Sequence, residues 1–458
     1  MEAISLVYIA FSLFGIASFA FLPAARAISI IYFTGLIFLP VSSYPALDDY
    51  FPGTTESSPY WILGVALPTD ALINKAWIAS ITAFAGALLF DIKSIRQFRP
   101  KLIDFPMAAW CIWPLVQNFA LDQSPPGWQS SLYLTGVWAL PWFLGRIYFT
   151  CRINQLILID SLTKITVLLV PFAIVEGFSG IRFYEYFYGD HPFSAVGAER
   201  YWGYRPLIFF EDGNQYGLWT AMAAILAFWQ LKSEDGGQKA GLNRLVAWAL
   251  ILIVIASQSI GAILLMFAGL AALHFHRILH HFRKLVLPAL VLVSILSAVH
   301  ISGVVPIRAL AKETTIGQTA LSILRNVGRG SLSWRISQDE KTIPAIRERM
   351  TVGSGQWDWW RELGRRPWGL PLLVIGQFGL IGLFLAISSP LAAIISRWRR
   401  NLHDRTEKIE PSARASILFV SGIIIFATAI DSLLNAFIFL PALIFAGSLV
   451  VSDPKRDV

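Results

Sequence analysis

Charge is scarce in this chain. Asp, Glu, Lys and Arg make up 14% of its 458 residues, against roughly 25% in an ordinary soluble domain, too little to cover a soluble globule of this length. Cysteine is scarcer still. Cys111 and Cys151 both lie in or beside apolar runs, which excludes a disulfide framework and a cysteine-based zinc spacing. The short alternating segments that build a membrane β-barrel do not occur. Nor does a nucleotide-binding glycine loop, a metalloprotease helix or a serine-hydrolase elbow. The net charge of +8 does not point to nucleic acid, because most of the basic residues flank apolar runs, where membrane topology explains them.

What is present is apolar. Hydrophobic residues make up 55% of the chain, gathered into runs long enough to cross about 30 Å of hydrocarbon as helices of about 20 residues. Lipid offers the backbone no hydrogen-bond partners, so such runs must be helical. The expected fold is all-α: a polytopic transmembrane helical bundle of about 12–13 spans with one large external loop. The spans fall near 4–22, 27–46, 72–90, 105–120, 130–149, 157–176, 206–230, 245–257, 260–275, 285–303, 368–396, 412–430 and 432–451. The first run has no basic leader and a poor cleavage site at Pro23-Ala24-Ala25-Arg26, so it reads as a retained span rather than a signal peptide. Ser257-Gln258-Ser259-Ile260-Gly261 divides the stretch 245–275; a polar hinge there makes a short hairpin, and without it the stretch is one long tilted helix. The chain divides into helices and short loops over 1–303, the large loop 304–367, and C-terminal helices with a tail over 368–458.

Orientation follows from lysine and arginine. Basic residues gather at Lys93–Lys101, Arg146 and Arg152, Lys232–Arg244, Arg277–Lys284 and Arg397–Lys408. Loops 47–71 and 121–129 alternate with these and contain neither Lys nor Arg. The basic set is expected on the cytoplasmic side of a bacterial inner membrane, with the large loop periplasmic or extracellular. Lys164, inside a span, is expected to snorkel to the cytoplasmic surface.

Two outer segments depart from the charge rule. Loop 177–205 carries Arg182, Arg200 and Arg205, and loop 304–367 carries eleven basic residues against six acids. Exported arginines bring no topological benefit, and guanidinium geometry suits phosphate, so an anionic ligand outside competes with plain solvated surface as their explanation. Within the long loop, 318–327 and 338–350 read as short amphipathic helices, the second kinked at Pro344. Trp357, Trp359 and Trp360 cluster before the next span. They suit an interfacial aromatic belt, or a platform for the apolar faces of sugar rings.

Other polar residues sit where an apolar environment makes them costly. His274, His276, His280 and His281 gather beside Arg277, Arg283 and Lys284, which suits a helix end facing acidic headgroups better than a metal site; no metal or other cofactor is expected. The stretch from Arg205-Pro206 to Glu211-Asp212-Gly213-Asn214 enters a span. Carboxylates there favour a helix N-terminus, or face a wet cavity and act. Asp431 and Asn435 invite the same argument near the outer end of the last spans.

The order of these features resembles the O-antigen ligase and O-antigen polymerase-like superfamily, membrane glycosyltransferases of the GT-C type. The resemblance covers about 160–450 and rests on Arg205-Pro206 to Gly213-Asn214, the hairpin 257–261, the large outer loop, and Gly376-Gln377-Phe378-Gly379-Leu380-Ile381-Gly382. It implies transfer of a glycan from a polyprenyl-pyrophosphate carrier to an acceptor glycan or lipid, at a periplasm-facing site among membrane lipids, without metal. The family has Arg where this hairpin has Ile260, and a loop histidine where 304–367 has none. Arg365 and Arg366 stand near that histidine's expected place, and Arg335 is the counterpart of the loop arginine.

On this reading Arg205, Arg335, Arg347 and Arg365 clamp the pyrophosphate, stabilising charge where it develops. Glu211 or Asp212 positions or deprotonates the acceptor hydroxyl. Asn214, Arg366, Trp357 and Trp360 complete the expected substrate contacts. A transporter or flippase for a lipid-linked or anionic solute, and a silent assembly scaffold, are the rival readings.

Overall fold

A computed structural model describes residues 2–41, 73–121, 127–189, 191, 199–233, 240–276, 298–299, 302, 313–315, 317–319, 322, 330–357, 359–360, 363, 366–403, 416–433, 435–436 and 438–450. Among these the protein is all-α; the one β feature is an isolated bridge between Glu199 and Tyr204. The expected span 285–303 and the first loop helix, 318–327, fall almost wholly outside the described residues.

The helices lie where apolar runs predict them: Glu2–Ser18, Ala24–Phe38, Lys75–Phe90, Phe105–Leu121, Gly127–Leu134 continuing through Leu140–Tyr148, Arg152–Val167 with Val170–Ser179, Gly213–Ser233, Ala240–Ala256, Ile260–His274, Leu370–His403, Ile417–Ser432 and Pro441–Ser448. Among the described residues two stretches, Arg152–Ser179 and Leu370–Arg399, are long and apolar enough to cross a membrane, and six further apolar helices are shorter. A large core joins most of the helices, with Trp110, Trp142, Tyr32 and Phe33 among its largest buried side chains, and small separate clusters form around Ile343 and Leu372 and around Tyr8 and Leu39.

The connections sort into two ends. At one end Tyr8 bonds Pro40 O, the Tyr184 hydroxyl bonds Val41, and Asn74 caps the 75–90 helix. Tyr204 N bonds Gly177 O there, and Leu370 N bonds Asn435 O. At the other end Arg146 holds Asp104 through two bonds of 2.8 and 2.9 Å and reaches Val450 O. Gln155 bonds Ser448 O, and Lys232 meets His274, at that same end. The described connections thus fall into two groups at opposite ends of the helices, while loop 47–71 lies outside the described residues. Arg146, expected as a loop cation, is instead buried on Asp104. Burial raises the Asp104 carboxyl, but the bonds from Arg146, the Lys101 amide and Trp142 outweigh it and hold the group below its ordinary range. Lys164 is exposed and paired with Asp160 at 2.8 Å.

Three apolar runs depart from simple spans. Residues 205–212 are irregular and buried, and the helix expected from 206 starts at Gly213. Residues 245–275 form the hairpin rather than one helix: the break at 257–259 puts Gln258 at φ 52°, a left-handed value a non-glycine rarely adopts. Among the described residues of the run 432–451, Ser432 ends the preceding helix and a short helix covers Pro441–Ser448.

The 370–403 helix is itself interrupted. Gly379 stands at φ 72°, and a side chain there would run into the backbone of Thr351 and Val352. The loop segment 350–355 lies alongside: Ser354 N bonds Gly376 O, Gly355 N bonds Gln377 O, and Leu380 N bonds Met350 O. Gln117 Nε2 bridges Val352 O and Gln377 O, and Trp113 Nε1 bonds Phe378 O. A broken helix in an apolar setting persists only when its freed backbone groups find such partners.

Candidate functional site

The first half of the site grows from the irregular stretch before the 213–233 helix. Glu176 organises it. One of its oxygens accepts from the amides of Leu207 (2.8 Å) and Ile208 (2.7 Å), the other from Phe183 N. Two successive amides aimed at one anion form a nest, which needs a left-handed residue; Ile208, at φ 56°, supplies it. The turn lays Arg205 across the helix start, where a Cβ on Gly213 would collide with its guanidinium. Arg205 Nη2 donates to Asn214 Oδ1 at 2.8 Å, and its Nε donates to Ser257 O at 3.2 Å. Ser259 donates to the same Asn214 oxygen at 3.3 Å. Gln258 binds the carbonyls of Trp202 and Tyr204, so the hairpin turn and the segment before Arg205 brace one another. Two non-glycine residues at positive φ, Ile208 and Gln258, flank this cluster. Strain of this kind collects at functional sites.

The second half comes from the outer loop. A helix over Gly330–Glu348 begins eight residues before the expected 338, and Pro344 lies inside it. Its Arg335 donates to Asn435 Oδ1, and Asn435 Nδ2 donates to Asp431 Oδ1 at 2.8 Å. One turn further on, Asp339 Oδ1 accepts from Trp368 N at 2.6 Å and Gly369 N at 3.2 Å. That carboxylate caps the 370–403 helix from outside it, satisfying donors at its start. The Arg335 and Arg366 guanidiniums both lie over the Trp368 ring, at 5.2 and 5.5 Å from its centroid.

The halves meet. Partial burial draws Arg335 below its ordinary value, while the carboxylates Asp212 and Asp431 act on it in the opposite sense and Arg200 adds to the lowering. The ideal Cβ position of Gly261, in the hairpin, is 4.0 Å from Asp431 Oδ1. The hairpin thus links the Arg205–Asn214–Ser259 group to the Arg335–Asn435–Asp431 group, and Asn435 O also accepts from Leu370 N at the start of the 370–403 helix. The amides of Asn214, Trp368, Gly369 and Leu370 are already taken by Asp212, Asp339 and Asn435, so a phosphate-like anion here would be held by the guanidiniums, with the positive dipole ends of the two helices behind them.

Several expected residues join this cluster and others do not. Arg205, Arg335, Asn214 and Asp212 belong to it. Asp212 Oδ1 also accepts from Asn214 N at 2.6 Å, the helix-start role open to a carboxylate at this position. Arg366 adjoins the cluster through Trp368. Glu211 does not: its carboxylate turns away to Lys75, Oε1 to Nζ at 3.8 Å, because successive residues of the irregular segment face opposite ways. Arg347 does not either. It bonds Ser302 O, and twelve residues of helix put it about 18 Å along the axis from Arg335. Arg365 lies outside the described residues.

Trp357 and Trp360 are 9% and 1% exposed. They pack into the core and offer no open face for a sugar, because the turn 350–360 folds back onto the 370–403 helix. Among the histidines, His274 meets Lys232 and His276 meets Leu273 O; His280 and His281 lie outside the described residues. Among the described residues no group of three His, Cys, Asp or Glu side chains converges.

Sequence reasoning passed over Lys75, although a lone lysine in an apolar run is a standing signal of a buried partner. It also passed over Asp339, Trp334 and Trp368, for which no local pattern exists. Compared with models of known protein families and with curated proteins, the chain matches none.

Proposed function

We propose that the chain is a polytopic inner-membrane protein of 12–13 spans that transfers a glycan from a polyprenyl-pyrophosphate carrier to an acceptor glycan or lipid. The membrane reading is supported by the apolar side chains that the helices turn outward, among them Leu13, Phe14, Leu89, Phe119, Phe178 and Phe384. A patchwork of this extent is costly in water and natural in lipid. Assigning the end that holds Arg205 and Arg335 to the periplasm agrees with the distribution of basic loops.

The observation that carries the catalytic reading is the convergence of Arg205 and Arg335 at the start of two helices. Cleaving a glycosyl–pyrophosphate bond leaves a diphosphate whose charge grows as the bond breaks. Fixed guanidiniums, with the positive dipole ends of the two helices behind them, stabilise that charge without reorganising. Asp212 or Asp431 lies close enough to the arginines to orient the acceptor hydroxyl. The hairpin isoleucine at 260 and the missing loop histidine place the burden on Arg335 and Arg205.

The test is replacement of Arg205 or Arg335 by Ala in the native host, with lipid-linked and surface glycans measured. Transfer lost at normal protein abundance supports the clamp; transfer unchanged in both variants removes it. A second reading, export of a lipid-linked or anionic solute, draws on the interrupted helix at Gly379 and the buried Lys75–Glu211 pair, features that transporters also use. Deleting the gene separates the two. Carrier-linked glycan accumulates on the outer leaflet if transfer is lost and on the inner leaflet if export is lost.

A further inference from the structure

Trp357 and Trp360, which sequence order places before the 370–403 helix, are buried, yet an exposed aromatic surface exists beside the arginine cluster. Trp334, next to Arg335 on the loop helix, is 49% exposed. Its ring lies 5.2 Å from that of Trp368, tilted by 57°. Trp368 is clamped by Arg335 and Arg366 through its π face, an arrangement that fixes an aromatic ring against a cation, and its amide is held by Asp339. Trp334 therefore stands on a braced support.

We propose that Trp334, braced by Trp368, is a carbohydrate subsite that stacks the first sugars of the pyrophosphate-linked donor. The inference rests on the transfer reading and deepens it. Three features favour a sugar over plain lipid contact. The ring adjoins charged groups that would hold the diphosphate, so a glycan leaving that diphosphate must pass over it. Pyranose rings present a flat C–H face that matches an indole. A residue serving only the interfacial belt has no need of a support locked by two guanidiniums and a carboxylate.

The experiment uses the full chain purified in detergent and two probes: undecaprenyl pyrophosphate, and the same lipid carrying an oligosaccharide. Wild-type protein is expected to bind the glycosylated lipid about tenfold more tightly, the scale of one good aromatic contact. Trp334→Ala should erase that advantage while leaving affinity for the bare lipid unchanged, and Trp334→Phe should keep most of it. An advantage that survives Trp334→Ala overturns the subsite and leaves the transfer reading standing. Equal loss for both lipids in Trp334→Ala also overturns it, marking Trp334 as a support for the anion site or a membrane anchor. Failure of wild-type protein to bind either lipid removes the transfer reading itself.

Discussion

Lys75 and Glu211 face one another in the interior, Nζ 3.8 Å from Oε1, with side chains 2% and 1% exposed. Lys75 also donates to Phe209 O at 3.3 Å, and Glu211 Oε2 has no hydrogen-bond partner among the described residues. The pair fastens the irregular segment before the 213–233 helix to the start of the 75–90 helix. It also splits two neighbouring acids between two jobs: Glu211 anchors, and Asp212 joins the arginine cluster.

Removing one partner leaves a buried charge without compensation, which costs about 3–5 kcal/mol. Lys75→Met is therefore expected to lower the melting temperature in detergent strongly. Lys75→Met combined with Glu211→Gln should recover most of the loss. Equal stability of the single and double variants would show that the two charges are not coupled.

Asp339 caps a helix that begins thirty residues later in the chain. Asp339→Ala should cost about 1–2 kcal/mol, as the loss of a good cap does, and should loosen the 330–348 helix from the bundle. Limited proteolysis is the readout, with new cleavage expected between 330 and 369 and the rest of the chain intact.

At Gly379 the left-handed backbone and the adjacent Thr351 leave no room for a side chain. Gly379→Ala is expected to destabilise by about 1–3 kcal/mol and to release the segment 350–355. Gln117→Ala, which removes two bonds from the same junction, should reproduce a milder form of the effect. Cysteine accessibility at position 354 would report the release in both.

Asp104 is held below its ordinary value in the folded protein, its burial outweighed by Arg146 and its neighbours. A depressed carboxyl contributes stability above the unfolded value near 4 and loses it as pH falls through the folded value. Melting temperature should therefore fall as pH drops below about 4, and Asp104→Asn should be less stable at neutral pH but flatter in that acid range. An identical acid slope in the two proteins would assign the loss to other groups.

Asn435 joins Arg335 to Asp431, accepting from one and donating to the other. On the transfer reading, Asn435→Leu should lower turnover about a hundredfold by freeing the guanidinium, in line with the cost of small misplacements, while abundance stays normal. Asn435→Asp, which keeps the acceptor, should retain much more activity. Equal activity in both variants would place Arg335 outside the reaction.

Much of the helical layout is legible from hydrophobic runs, because burial of an apolar segment depends on residues near one another in the chain. The Arg205–Asn214 contact is legible for a related reason: nine residues and a helix start bring the two together. The hairpin was undecided in sequence, and it resolves because Gln258 turns left-handed to reach the carbonyls of Trp202 and Tyr204, which lie more than fifty residues away. Trp357 and Trp360 misled for the opposite reason. Their spacing suits an exposed belt, but the chain folds back at 350–355 and carries them inside.

Composition and periodicity alone establish an all-helical protein and the place of most of the described helices. These rest on local backbone hydrogen bonding and on the chemistry of each side chain. The partner of each charge is another matter. Arg335 meets Asn435 across a hundred residues, Lys75 takes Glu211 rather than Asp212, and Arg347 is left a dozen residues along the helix. Such choices arise when packed helices bring remote segments within 4 Å, and a pattern read along one strand of sequence carries no information about that approach.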